Sequence, residues 1–336
     1  MPIFDGYLMV DWSASSTPKT GRDSIWIAWG RSDDDRPPQT ANLPTRTKAR
    51  EFVENLLSEA VARKLRVLVG FDFAYSYPRG FATWLKVDEG RDSWRRVWAA
   101  ITAEILDDEN GIPNANNRFR AAARLNEQIG VPSFIGPFWS CPEDKRSNFL
   151  YPTKPDFNSL PEAQRVGEYR RTELQLQKEK RTTIQSAWKL YTSGSVGSQA
   201  LLGIPVVSSL VEKFAEHSQV WPFQTGFTPP LSSTPGPMIL HAEIWPGILG
   251  SVPEATCFAC RDEAQVFALV EAFRRLDQQD QIGGLFTPNL PDPEERALAQ
   301  EEGWILGAGI DASLAGKISS IGSEVMAGYR LPQPVW

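Results

Sequence analysis

The chain has 336 residues, of which 35 are basic and 41 acidic, for a net charge of −6 that argues against a protein coating duplex DNA by phosphate neutralisation. Its hydrophobic content of 41%, with 12 Trp and 17 Phe, is enough to fill a sizeable core in one large domain or two smaller ones. The three cysteines cannot build a disulfide framework, the first residues carry no basic and apolar leader, and no run of about 18 apolar residues occurs, so a soluble, cytoplasmic chain without a membrane partner is expected.

Tyr7 to Asp11 is a short apolar run ending in an acid and predicts a buried strand. A loop rich in Ser, Thr, Pro and Gly follows, and Ser24 to Trp29 predicts a second strand paired with the first as a hairpin. Gln39 to Asn42 fits a short third strand. Thr45 is an N-cap candidate for a helix whose apolar residues Ala49, Phe52, Val53, Leu56, Leu57, Ala60 and Val61 recur at three- and four-residue spacing. Arg66 to Asp72 is unbroken in apolar character up to its final acid, as expected of a strand buried on both faces in a mixed sheet with a helix crossover.

The middle of the chain predicts helices around Trp94 to Ile105 and Arg118 to Gln128, then a rigid Gly136-Pro-Phe-Trp-Ser-Cys-Pro142 loop. Residues 143–160 show little periodicity, and Pro161 to Lys180 predicts a polar helix. The glycine-rich stretch from Gly194 to Gly203 reads as a loop before an apolar helix from about Val206 to Phe214. Met238 to Ile244 predicts another strand, Ala264 to Leu276 a helix, and residues 286–296 a Pro-rich loop. Without internal repeats, this pattern fits one elaborated α/β domain, with core residues 1–84 and 236–336 and a mostly helical insertion at about 85–235.

The constellation that points to chemistry consists of acids at strand ends: Asp11, Asp72, Glu243 and, opening the following helix, Asp262. A hard cation such as Mg²⁺ or Mn²⁺ takes oxygen ligands, often one or two carboxylates with water and substrate phosphate completing the shell. Acids at strand ends can also simply meet solvent, but an acid between Leu-Met-Val and Trp, as at Asp11, is costly unless used. Arg118, Arg170, Arg171, Glu173 and Lys189 lie on elements expected near these acids, and Arg suits bidentate phosphate binding. Cys257-Phe-Ala-Cys260 has zinc-like spacing, but only Cys141, His217 and His241 remain to complete such a site. His241 shares a strand face with Glu243 and reads as a buried residue rather than a base.

Three motifs, Val-Asp11-Trp-Ser13-Ala-Ser, Gly-Phe-Asp72-Phe-Ala and Glu243-Ile-Trp-Pro246, together resemble the ribonuclease H-like superfamily. Within it the chain is most similar to a set of uncharacterised bacterial proteins, some labelled as molybdopterin-guanine dinucleotide or cobalamin synthesis proteins, although no residue here points to pterin or corrin chemistry. Further resemblance lies in Asn117-Arg-Phe119, Gly136-Pro-Phe-Trp139, Gly194 to Gln199 and Glu302 to Gly307. The resemblance implies a five-stranded mixed sheet, its first three strands antiparallel, flanked by helices. It further implies a metal-dependent nuclease-like site, with Asp11 and Asp72 in the first two acid positions.

Three functional readings stay open. The first is a divalent-metal-dependent phosphoester hydrolase acting on nucleic acid or a nucleotide, with Asp11, Asp72 and Glu243 as metal ligands, Asp262 beside them, and Ser13, Arg118, Arg170, Glu173 and Lys189 toward substrate. The second is an ATP-binding protein of the actin and sugar-kinase-like branch of the same superfamily, reading Asp11 to Ser15 as a phosphate loop and the Gly194 turn as a source of backbone donors. The third is a scaffold of the same fold without catalysis.

Overall fold

Six strands form one mixed sheet in the computed structural model, which describes residues 2–87, 92–129, 134–160, 165–179, 184–192, 194–230, 236–250 and 258–328. β1 (Gly6–Asp11) and β4 (Arg66–Phe71) are its centre and are buried along almost their full length, as their unbroken apolar sequences require. β2 (Ile25–Arg31) pairs antiparallel with β1, and β3 (Gln39–Leu43) antiparallel with β2. β4 runs parallel to β1, β6 (Met238–Glu243) parallel to β4, and β5 (Ser218–Val220) parallel to β6. The order is therefore β3-β2-β1-β4-β6-β5.

The sheet has one strand more than the five expected. The addition is β5, a three-residue edge strand lying within the stretch read as an insertion. Three residues, Ser-Gln-Val, carry too little alternation to be seen in sequence.

Two apolar layers cover the sheet. On one face, α1 (Arg46–Ala62) lays Ala49, Val53, Leu57 and Ala60 against it, one buried residue per turn. Its Thr45 cap accepts the Lys48 N–H at 3.2 Å. α3 (Ser93–Glu104), α4 (Arg118–Ile129) and α6 (Val196–Lys213) share that layer, with α2 (Phe81–Trp84) a single turn beside them. On the other face, α7 (Arg261–Gln278) buries Val266, Phe267, Leu269, Val270, Phe273 and Leu276 completely, each worth roughly 1.5–3 kcal/mol of transfer free energy. α9 (Ala312–Gly328) packs beside α7, with α5 (Arg171–Lys178) and α8 (Pro293–Glu302) at the layer's edge.

Several elements differ from the sequence expectation. α6 begins ten residues before Val206, so most of the presumed glycine loop is helix. Gly203 is there for packing: a Cβ would stand 2.2 Å from the Phe73 ring. α8 takes up the last four residues of the Pro-rich stretch, because Pro293 sits in the helix's first turn and the Asp292 carboxylate caps the Glu294 N–H at 2.9 Å. Of the polar helix expected from Pro161 to Lys180, residues 171–178 are helical, while 161–164 and 180 lie outside the described residues. α9 carries no expectation from sequence.

Candidate active site

Strand register decides which acids can meet. Val10 lies opposite Phe71, and Phe71 opposite Glu243, so these three side chains share one face. Val10 and Phe71 belong to the apolar layer of α1, α3, α4 and α6. Asp11 and Asp72 each follow by one residue and so point to the opposite face, toward the N-terminus of α7. The chain keeps its pairing at that point, with the Asp72 N–H on the Val10 carbonyl at 3.2 Å.

Asp11 and Asp72 lie within hydrogen-bond reach of each other, and both residues are half-buried. Burial holds the Asp11 carboxyl well above the usual carboxylate range, and the charges of Asp72 and Asp262 push it further the same way. Burial also pushes Asp72 up, to about 7, although the Trp12 N–H on its Oδ1 at 2.7 Å favours the charged form. Two carboxyls this close cannot both ionise cheaply, so the pair holds a proton. Asp262, in the first turn of α7, accepts the Asp23 N–H at 2.6 Å, and burial raises its pKa too.

A cavity of about 730 Å³ opens beside the pair, at the carboxyl end of β1 and between the two helical layers. Asp11, Ser13, Ser15, Lys19, Asp23 and Asp262 line one wall, and Arg118, Tyr191, Ser195, Ser198 and Gln199 the other. Arg118 donates to Ser198 Oγ at 3.0 Å, Ser16 Oγ at 2.9 Å and Asn116 Oδ1 at 2.8 Å. Each of these acceptors is a neutral oxygen, so the guanidinium keeps its charge toward the cavity. Burial, then repulsion by Arg46, lowers its pKa to about 10, which still leaves it charged at neutral pH.

No known protein-family model, curated protein or solved structure matches this chain. The functional reading therefore stands on geometry.

Of the acids expected together, the structure pairs Asp11 with Asp72 and sets Asp262 near enough to act on them by charge, but leaves Glu243 on the far face. Both Glu243 oxygens are occupied by Arg170, at 2.6 and 2.7 Å, and Oε2 also accepts the Tyr75 N–H at 3.1 Å. Arg170 is buried and also grips Glu173 at 2.5 Å, so neither residue faces the cavity. Burial pulls the Arg170 pKa down, but Glu173 and Glu243 outweigh it and the net shift is upward. Arg171 pairs with Glu295 at 3.0 Å, and the Lys189 ammonium donates to Gln185 at 3.2 Å. Ser13 and Arg118 do line the cavity. Among the described residues no three His, Cys, Asp or Glu side chains stand together as a metal-holding group. Cys257 lies outside the described residues, and Cys260 is the residue before α7. His241 is fully buried, facing Ser218 Oγ at 3.3 Å, and burial pushes its pKa down to about 3, so it is neutral.

Arg46 escaped the sequence reading. Its guanidinium, 1% exposed, donates to the Ser13 and Ser15 carbonyls at 3.2 and 2.7 Å while forking onto Asp107 at 2.6 Å. It thus fixes the loop that leaves Asp11. Sequence shows Arg46 only as the first residue of an amphipathic helix; its partners are about 30 and 60 residues away.

Proposed function

We propose that this protein is a divalent-metal-dependent phosphoester hydrolase. The observation carrying this reading is the recessed Asp11–Asp72 pair, whose Asp11 lines a cavity also lined by Arg118, a cation hydrogen-bonded there to neutral oxygens. Two like charges forced together need a proton or a cation between them, and a hard ion held by one or two carboxylates, water and a substrate phosphate suits this donor set. Asp11 and Asp72 would hold Mg²⁺ or Mn²⁺, with Asp262 behind them. When bound, such an ion supplies Lewis acidity to a phosphoryl oxygen and activates water.

The chain's own residues do the rest. Arg118 draws the phosphate in by charge and by its Nη2 group, its Nε and Nη1 being engaged by Ser198, Ser16 and Asn116. Ser13 and Ser15, on the loop fixed by Arg46, shape the cavity wall, their hydroxyls donating to the Asp23 and Thr17 carbonyls. The Trp12 N–H keeps Asp72 oriented. The layout also supports a place in the ribonuclease H-like superfamily: three antiparallel strands, a parallel fourth beside the first, and acids at the ends of β1 and β4. The extra edge strand β5 is an addition to that plan.

The test is hydrolysis of bis(p-nitrophenyl) phosphate and of short single-stranded, duplex and hybrid oligonucleotides with Mn²⁺. Turnover on at least one of them that falls by about 10²–10³ or more in both Asp11→Asn and Asp72→Asn is expected. Absence of turnover on every substrate, or turnover indifferent to both substitutions, removes the reading.

A further inference from the structure

We propose that Tyr191 is a specificity-determining residue of this cavity, selecting phosphoesters whose organic group carries a planar ring. The inference rests on the phosphoester reading above and deepens it.

Burial makes Tyr191 unusual. Among the described residues only four large hydrophobic side chains are exposed: Leu106, Ile112, Phe149 and Tyr191. Tyr191 is the only one of them that lines the cavity, and it is 45% exposed. An aromatic ring left in water within a polar cleft forgoes much of its burial free energy unless a ligand covers it.

The ring is also held in place. Phe119 meets it edge-on, with centroids 6.4 Å apart and an interplanar angle of 75°. The Arg118 guanidinium sits over that same Phe119 ring at 4.5 Å. Cation and tyrosine thus share one support and line the same cavity. The Tyr191 carbonyl accepts from Ser140 Oγ at 2.9 Å, and the neighbouring Leu190 carbonyl from Ser198 Oγ at 2.5 Å, so the backbone is anchored on both sides of the cavity wall. A ligand with its phosphate on Arg118 can lay a ring against Tyr191, gaining stacking that a ring-free ester lacks. A nucleoside and a simple aryl group share this chemistry.

The test is calorimetric binding to the full chain in EDTA, where no metal-dependent turnover occurs, with adenosine 5′-monophosphate, phenyl phosphate and ribose 5-phosphate as probes. At least one ring-bearing ester should bind about 5- to 100-fold tighter than ribose 5-phosphate. Tyr191→Ala should erase that advantage while leaving ribose 5-phosphate unchanged, and Tyr191→Phe should keep it. Tighter binding of the nucleotide marks a nucleoside group, and tighter phenyl phosphate an aryl ester; either upholds the proposal. Equal affinity with and without a ring, an advantage that survives Tyr191→Ala, or no binding of either ring-bearing ester overturns it. A chain that stacks rings but hydrolyses nothing would sink the hydrolase reading alone, and one that hydrolyses phosphodiesters without favouring rings would sink this inference alone.

Discussion

At the scale of single residues, the site's most consequential feature is a proton. Burial and the neighbouring charges keep it on the Asp11–Asp72 pair at pH values where the unfolded chain has lost it. The folded state therefore binds more protons from about pH 4 upward, and stability falls as pH rises through the titration of Asp72 at about 7 and onward until Asp11 too has lost its proton. Asp11→Asn removes the repulsion and keeps a hydrogen-bond donor toward Asp72. In EDTA, urea unfolding of this variant should show a flatter pH dependence and, at pH 8, a gain of roughly 1–3 kcal/mol, allowing for solvent at the cavity mouth. An unchanged slope would mean that the two carboxyls do not share a proton. Asp11 and Asp72 were visible in the sequence because an acid ending an apolar run is conspicuous. Their sharing a face was not, since that depends on a register between strands about 60 residues apart. The same register takes Glu243 away from them.

At the scale of elements, α6 builds one wall of the site by fitting closely onto the segment before it. A Cβ at Gly197 would stand 2.5 Å from the Ala187 carbonyl oxygen and 2.7 Å from that of Lys189, both backbone atoms that cannot swing aside. Helix propensity favours Ala over Gly by about 1 kcal/mol, but the overlap should outweigh it. We expect Gly197→Ala to cost about 1–3 kcal/mol in chemical denaturation and to weaken phosphate-ester binding by moving Ser198 and Gln199; a stabilised variant would refute the close approach. The sequence suggested a glycine-rich loop here because glycine usually marks a turn. Gly197 and Gly203 instead make room for a carbonyl pair and an aromatic ring. Such requirements come from the partner surface, which local pattern does not report. By contrast, the long periodic segments of α1 and α7 and the apolar runs of β1 and β4 were legible, because burial of one stripe or of both faces leaves a direct trace in composition.

At the scale of the whole molecule, residues between the early and late strands are bound into the sheet by charge as well as by packing. Arg170 joins Glu173 on its own segment to Glu243 on β6, and Glu302 accepts the N–H groups of Arg79 and Arg171 at 2.9 and 2.6 Å. Replacing Arg170 by Met leaves two buried carboxylates without their counter-ion, so a loss of about 3–5 kcal/mol at pH 7.5 is expected in urea unfolding. Adding Glu173→Gln and Glu243→Gln should recover part of that loss, which separates a charge effect from a packing one. Sequence reads Arg170 and Glu173 as substrate contacts, because Arg suits bidentate phosphate binding, and Glu243 as a metal ligand, because it lies in a strand among other strand-end acids. The structure assigns them instead to a buried cluster behind the cavity.

The account depends on the Asp11–Asp72 pair accepting a divalent ion in place of its proton. The most direct measurement is calorimetric titration of Mn²⁺ into the full chain at pH 6.5, repeated in two buffers of different ionisation enthalpy so that released protons are counted. Saturable binding with net proton release, abolished in the Asp11→Asn/Asp72→Asn double variant, is the expected result. Absence of binding, or binding equal in the double variant, would contradict it.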